Sequence, residues 1–263
     1  MEKIVLYCKS FNRDFERVKV LLESIKKYNM DNIPFYISVP KEDYSLFSQL
    51  TGVTIILDED IYSLDSSNWE SQQIIKSNFW KLNLTENYLC LDSDSYFIKP
   101  FYKSDFLFKD ETPYTVIHEQ KELFSWSSTK IKELGFDPKG GFQEDRKKIM
   151  DIFNRQGRFY DFGPSPIIWS SKVWKSLEDN YTIPNGLTFS QLIEYSHSEF
   201  SWYGEALLSF KAIELYPVEP LFKVFHYPQQ FIEYKQQNIT EEMIAQNYMG
   251  IIMQSNFNGP MKY

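Results

Sequence analysis

Between residues 4 and 91, short apolar runs alternate with stretches of helical periodicity, and this alternation constrains the fold more than any other feature. Residues 4–8 (IVLYC) form the first run. Residues 13–28 follow, with Val18, Leu21, Leu22 and Ile25 on one helical face. Residues 34–39, 53–57 and 88–91 read as further strands. Residues 41–50, entered through Pro40, and 69–82 read as further helices. A β-α-β-α-β-α-β order needs crossover connections, which place helices on both faces of a parallel sheet. After Phe101 the pattern is less regular. Residues 115–118, 166–169 and 221–226 read as strands, and 143–154, 171–177, 199–210 and 240–248 as helices, with Lys139-Gly140-Gly141 as a turn before the first helix. There is no repeat, low-complexity tract or linker, so residues 1–263 read as one continuous α/β domain with an elaborated second half.

Composition narrows the function classes. Hydrophobic residues at 43% and charged residues at 24% exclude a disordered or fibrous chain. The 28 Lys and Arg against 36 Asp and Glu leave a net charge of −8, which argues against a nucleic-acid binder. None of the 10 glycines follows the first strand, so neither a dinucleotide fingerprint nor a Walker-type loop is present there. Cys8 and Cys90 make no disulfide framework and have no metal spacing; they read as packing residues on strands one and four, in a reducing compartment. No run of 18 apolar residues occurs, and the opening MEKIVLYCKS enters a strand without the apolar core of a signal peptide. The expected location is therefore cytoplasmic, and the sequons at Asn83, Asn180 and Asn238 read as chance. Aromatic residues reach 17%, enough to serve both a core and sugar-stacking surfaces.

The most informative segment is Tyr88-Leu89-Cys90-Leu91-Asp92-Ser93-Asp94-Ser95. In open parallel sheets, ligands bind beyond the carboxyl ends of the strands, so Asp92 and Asp94 belong at the ligand edge. Two carboxylates at i and i+2 can face one hard cation, such as Mg²⁺ or Mn²⁺, whose other positions take phosphate oxygens and water. The alternative is a solvated turn, for which Asp and Ser are common residues. Asp58-Glu59-Asp60 ends the third strand in a similar way and reads as a solvated edge. On residues 69–82, Gln72, Gln73, Lys76 and Trp80 share one arc beside the apolar stripe of Ile75, Phe79 and Leu82. Amides can read sugar hydroxyls and a lysine can meet phosphate, although an ordinary solvated face has the same pattern.

These features together resemble a GT-A glycosyltransferase: a four-strand α/β start, a strand ending in Asp92-Ser93-Asp94, and a less regular second half. More narrowly, Lys9-Ser10 with Asp14 and Arg17, Val39-Pro40-Lys41-Glu42-Asp43, Gln72-Gln73-x-x-Lys76, Leu91-Asp92-Ser93-Asp94, and Ser198-Glu199-Phe200 with Tyr203-Gly204 resemble bacterial proteins of capsule and lipopolysaccharide biosynthesis. The resemblance implies a mostly parallel, Rossmann-like sheet. Residues 1–100 would bind the nucleotide and 101–263 the acceptor. It further implies a nucleotide-sugar donor, expected to be a UDP-sugar, and Mn²⁺ or Mg²⁺ as cofactor. The acceptor would be a glycan or lipid-linked glycan.

Residue by residue, Lys9 and Ser10 would lie near base and ribose, with Gln72, Gln73 and Lys76 also on the donor. Asp92 would contact ribose or a metal-bound water, and Asp94 the metal itself. A late histidine often completes the ligand set; of His118, His197 and His226, the best placed is His226, at the end of an apolar strand. Glu199, opening a helix, is the first candidate for the base that takes the acceptor proton, with Glu205 and Asp161 as rivals. Trp69, Trp80, Phe159, Tyr160, Phe162, Trp202 and Tyr203 cluster near these segments; Trp202, Tyr203 and Tyr160 are the ones expected near the acceptor. Arg146-Lys147-Lys148 is the candidate for peripheral membrane contact. Two other readings compete. One is a non-catalytic glycan- or nucleotide-binding protein on the same fold. The other is an aspartate-nucleophile phosphatase, whose DxD normally ends the first strand rather than the fourth.

Overall fold

Side chains alternate with period two along β1 (Glu2–Lys9), and both faces are buried. Ile4, Leu6 and Cys8 enter one apolar cluster, while Val5 and Tyr7 enter another. β4 (Thr85–Leu91) does the same, with Leu89 and Leu91 on one side and Tyr88 and Cys90 on the other. A sheet covered on both faces is the solution the sequence pattern calls for. The computed structural model describes residues 2–63, 69–109, 111–255 and 260–263; the side chain of Trp69, one of the aromatics singled out above, lies outside the described residues.

β2 (Phe35–Val39) and β3 (Thr54–Leu57) extend the sheet on one side of β1, with β4 on the other, all parallel. Two further strands follow in the chain, β5 (Ser95–Phe97) shortly after β4, and β6 (Thr115–Val116), which pairs with β8 below. β7 (Ile167–Ser170) closes the sheet antiparallel to β4, giving the order β3-β2-β1-β4-β7. β8 (Pro217–Val218) pairs with β6. A second sheet has the order β5-β10-β9, built from β5, β9 (Phe222–Phe225) and β10 (Gly250–Met253). Cys8 and Cys90 lie on adjacent strands as expected, both buried and unpaired.

The helices in chain order are α1 (Phe15–Tyr28), α2 (Tyr44–Phe47), α3 (Asp58–Ile61), α4 (Trp69–Asn78), α5 (Lys121–Ser128), α6 (Ile131–Leu134), α7 (Pro138–Ile152), α8 (Ser171–Leu177), α9 (Phe189–Tyr195), α10 (Glu199–Phe210), α11 (Pro228–Gln236) and α12 (Glu241–Ala245). Val18, Leu21, Leu22 and Ile25 of α1 cover one face of the main sheet. Ile75 of α4 and Trp174, Trp202 and Tyr203 of α8 and α10 cover the other.

Several expectations are corrected. Asp58-Glu59-Asp60 forms the first turn of α3; Glu59 and Asp60 are exposed as expected, but Asp58 is buried. Gly140 and Gly141 lie inside α7, which starts earlier than its periodicity indicates. The Asp137 carboxylate accepts from the Lys139 N–H at 2.9 Å, and Pro138 takes the first helical position, where its missing N–H costs nothing. β5, β10, α5, α6, α9 and α11 had no clear sequence signal. Trp202 and Tyr203 are core residues. The Trp202 indole N–H donates to the carbonyls of Leu192 (3.1 Å) and Ser196 (3.0 Å), and the Tyr203 hydroxyl accepts from the Ser170 N–H at 2.9 Å. Phe162 is likewise buried in the interior. Arg146 is buried against Asp145 and Asp161 and so does not belong to an exposed patch; Lys147, paired with Asp151, and Lys148 are exposed.

α10 runs against the ring of Phe162 with no space between. A Cβ built on Gly204 would stand 2.0–2.2 Å from that ring. Gly204→Ala is expected to destabilise the protein by about 1–3 kcal/mol, read as a lower urea midpoint with an unchanged slope.

Candidate active site

At the carboxyl end of β4 the chain must leave the sheet, and its polar groups show how it does so. The Asp92 N–H donates to Ser165 Oγ at 3.0 Å, and that hydroxyl donates to the Cys90 carbonyl at 3.0 Å. The Asp92 carbonyl accepts from the Ser95 N–H (3.1 Å) and hydroxyl (2.6 Å), closing the Asp92–Ser95 turn. The chain then enters β5, where Ser95 pairs with Ile252 of β10. That pairing brings the Ser255 N–H within 2.8 Å of Asp94 Oδ2. The other oxygen, Oδ1, is buried with no hydrogen-bond partner.

The turn forms one wall of a cleft of about 690 Å³. Across from it, α4 presents Gln72, Gln73 and Lys76, and the start of α10 presents Glu199. Lys76, whose side chain is only 6% exposed, places its ammonium 2.6 Å from Asp92 Oδ1 and 3.7 Å from Glu199 Oε1. With its amide nitrogen turned towards Glu199, Gln73 donates to Oε2 at 2.9 Å. The Tyr88 hydroxyl donates to the Lys76 carbonyl at 3.2 Å and ties α4 to β4. α10 begins at Ser198, whose hydroxyl caps the Ser201 N–H at 3.3 Å, so Glu199 sits in the first turn, where the helix dipole favours a carboxylate.

Burial governs the protonation of these groups. It pushes Asp94 up to about 7, with the Asp92 charge adding to the effect and the Ser255 N–H opposing it. It also raises Glu199 to about 7, against the nearby Lys76 ammonium. Burial alone would lower Lys76, but Asp92 and Glu199 hold its ammonium protonated. Asp161 is the opposite case. Burial works to raise it, yet Arg146 (3.0 Å), His118, the Gln120 amide and the Gly163 N–H together hold it below the usual carboxylate range.

Of the residues singled out from the sequence, Lys9, Gln72, Gln73, Lys76, Asp92, Asp94, Asp161, Glu199 and His226 all line this cleft. Ser10 and Glu205 do not. Ser10 is buried, and Glu205 is fully buried in an ion pair with both the Nε and Nη2 groups of Arg155. The Lys9 ammonium is engaged by the Ser10 carbonyl at 2.6 Å and Asp58 at 2.8 Å. Among the described residues, no three His, Cys, Asp or Glu side chains are grouped to hold a metal ion, so the Asp92–Asp94–His226 triad is not assembled. His226 lies at another part of the wall, and burial lowers it to about 4, leaving a neutral imidazole. Gln120, Arg146, Ser255 and Asp14 also line the cleft. Sequence reasoning placed Asp14 in the family-like motif after β1 without a role in the site, read Arg146 as part of a membrane-contact triplet, and gave Gln120 and Ser255 no role, because they arrive through contacts distant in sequence.

A raised carboxylate destabilises the folded chain once it ionises. For Asp94 the contribution to stability is full below about pH 4 and is lost as the pH climbs through about 7. Asp94→Asn, neutral throughout, is expected to be more stable than the parent above pH 7 and to gain nothing at pH 4, measured by urea unfolding across that range.

A model of a family described as "Family of unknown function (DUF6492)" matches residues 4–214. No curated protein matches the chain. Among solved structures, the fold is similar to the crystal structure of mouse xyloside xylosyltransferase 1 in its apo form. The TM-score is 0.51 at 7% sequence identity, covering 98% of this chain and 99% of that one. At that identity the likeness is one of fold: a mostly parallel central sheet flanked by helices, as the sequence pattern implied.

Proposed function

The chain belongs to the DUF6492 family of unknown function, and from the chemistry of its site we propose that it is a glycosyltransferase. It would move a sugar from a nucleotide-sugar donor, expected to be a UDP-sugar, to a glycan hydroxyl, with a divalent cation as cofactor. The resemblance in sequence implies an acceptor of surface polysaccharide synthesis. The observation that carries this reading is Asp94. Asp94 is half-buried in the turn after β4, with one carboxylate oxygen satisfied by the Ser255 N–H and the other, Oδ1, buried without a partner. A hard-oxygen donor in that state fits a cation, and Asp92, 31% exposed on the same wall, is the second donor. Bound there, Mg²⁺ or Mn²⁺ would neutralise charge developing on the departing diphosphate. The similarity of fold to a xylosyltransferase accords with this reading.

The chain's own side chains supply the remaining roles. Lys76 is a fixed positive charge that holds Asp92 in place and faces the leaving group. Gln72 and Gln73 offer amides for donor hydroxyls. As the acceptor oxygen bonds to C1, the bond from C1 to the diphosphate breaks, the electron pair leaves with the nucleoside diphosphate, and the hydroxyl proton goes to a base. Glu199 suits that role. It lines the cleft, and its proton affinity, raised to about 7, matches transfer near neutral pH. Asp161 is held ionised by Arg146 and is a weaker base, and Glu205 is shut away by Arg155.

Thermal melting with UDP-, GDP-, CMP- and TDP-sugars, each with and without Mn²⁺, tests the donor. We expect one nucleotide class to raise the midpoint only with metal, and Asp94→Ala to lose that shift. No shift at millimolar nucleotide would move the assignment to a non-catalytic binding protein. For the base, Glu199→Gln is expected to lower kcat by roughly 10²–10⁴-fold while keeping the nucleotide shift. Glu205→Gln should lower the melting temperature instead. Equal kcat values for Glu199→Gln and the parent would rule Glu199 out as the base.

A further inference from the structure

Beside the cleft lies a second cavity of about 460 Å³, walled by residues 117–123, Tyr160, the 219–226 segment with β9, and Tyr248. The two spaces have Gln120, Pro164 and His226 in common. Resting on the transfer reading above, we propose that this second chamber binds the acceptor and that it takes an uncharged sugar rather than a phosphorylated or carboxylated one.

Three observations carry the assignment. The first is continuity. An attacking hydroxyl must reach the donor in the cleft while the rest of the acceptor stays clear of Asp92 and Asp94, and a chamber that shares part of its wall with the cleft meets both needs. Its volume falls in the range of small-molecule pockets, about 300–1,000 Å³.

The second observation is charge. Lys223 is buried, but its ammonium is ion-paired with Glu122 and lies 4.8 Å from the Tyr234 ring centre. Glu122 in turn accepts from the Tyr248 hydroxyl at 3.2 Å. At the rim, Lys121 is exposed and 3.8 Å from Glu119, which also binds Arg158 at 2.6 Å. Both lysines of the wall therefore already face a carboxylate, and the exposed Glu219 adds negative charge. Stripping the hydration from an anion in such a chamber would meet no compensating cation.

The third is the supply of neutral hydrogen-bonding groups. Gln120 gives an N–H to Asp161, which leaves its carbonyl oxygen. The Gln230 oxygen accepts from the N–H groups of His226 (2.8 Å) and Tyr227 (3.2 Å), which leaves its own amide N–H groups. The neutral His226 ring offers one donor and one acceptor. Tyr160 and Tyr248 bring aromatic rings of the kind on which sugar rings stack.

Saturation-transfer NMR with a mixture of neutral methyl hexopyranosides tests the chamber without requiring turnover. Glucose 6-phosphate and methyl glucuronide serve as the anionic arm. The parent protein is expected to give signals for neutral glycosides and not for the anions. Tyr160→Ala and the rim variant Glu219→Trp should each weaken glycoside binding by roughly tenfold or more, equivalent to about 1.4 kcal/mol. Both should keep the metal-dependent nucleotide melting shift, which shows that they are folded with the donor site intact. Glycoside binding unchanged in both variants, absent in the parent, or matched by the anions overturns the assignment. A parent that binds glycosides in this chamber yet shows no nucleotide shift would instead overturn the transfer reading and leave the chamber standing.

Discussion

The Lys76 ammonium holds the site together. It is buried, it lies between Asp92 and Glu199, and the three residues come from α4, the end of β4 and the start of α10. A buried charge without partners would be strongly unfavourable, so each of these elements constrains the others. Removing the lysine would leave two acidic side chains facing each other in a poorly solvated space. Removing either acid would leave the ammonium half-compensated. The Tyr88 hydroxyl on the Lys76 carbonyl adds a neutral tie between the same helix and strand.

Around that pairing the cleft is arranged with excess negative charge. Asp14, Asp92, Asp94, Asp145, Asp161 and Glu199 line it, against Lys9, Lys76 and Arg146. The cations are all engaged: Lys9 by Asp58, Lys76 by Asp92 and Glu199, Arg146 by Asp145 and Asp161. Among the described residues that line it, the buried carboxylate oxygen without a hydrogen-bond partner is Asp94 Oδ1. On the proposed reading, a wall of this kind would repel a bare diphosphate and would take one that arrives with a divalent cation. The adjoining chamber differs in kind, because both of its lysines face carboxylates and its neutral groups are amides, imidazole and aromatic rings.

Two carboxylates of similar burial show why neighbours decide chemistry. Glu199 and Asp161 are both buried at the cleft wall, yet one is raised to about 7 and the other is held low. Asp161 receives a guanidinium, an amide and a backbone N–H; Glu199 has the Gln73 amide and a lysine it shares with Asp92, whose charge opposes its ionisation. Glu205, equally buried and only six residues from Glu199, has both oxygens bound by Arg155 and takes no part in the cleft.

Much of this was legible in the chain itself. Apolar runs of period two and helical stripes of period 3.6 are local properties, so the parallel strands β1 to β4 and the helices α1 and α4 could be read directly, and with them the strand end that carries Asp92 and Asp94. The arc of Gln72, Gln73 and Lys76 on α4 follows from the same periodicity. Tertiary structure alone decided the rest, because it depends on contacts between distant residues. Ser255 reaches Asp94 only because β10 pairs with β5, and a three-residue strand has too little pattern to be seen in sequence. Trp202 and Tyr203 look like sugar-stacking residues until the packing of α10 turns them into the core. Asp58 looks solvated until Lys9 meets it. His226 follows an apolar strand, the position that suggested a metal ligand, but the placement of the second sheet does not group it with Asp92 and Asp94. Periodicity fixes which face of an element is apolar; only packing fixes which polar groups meet, and the chemistry of a site is made of those meetings.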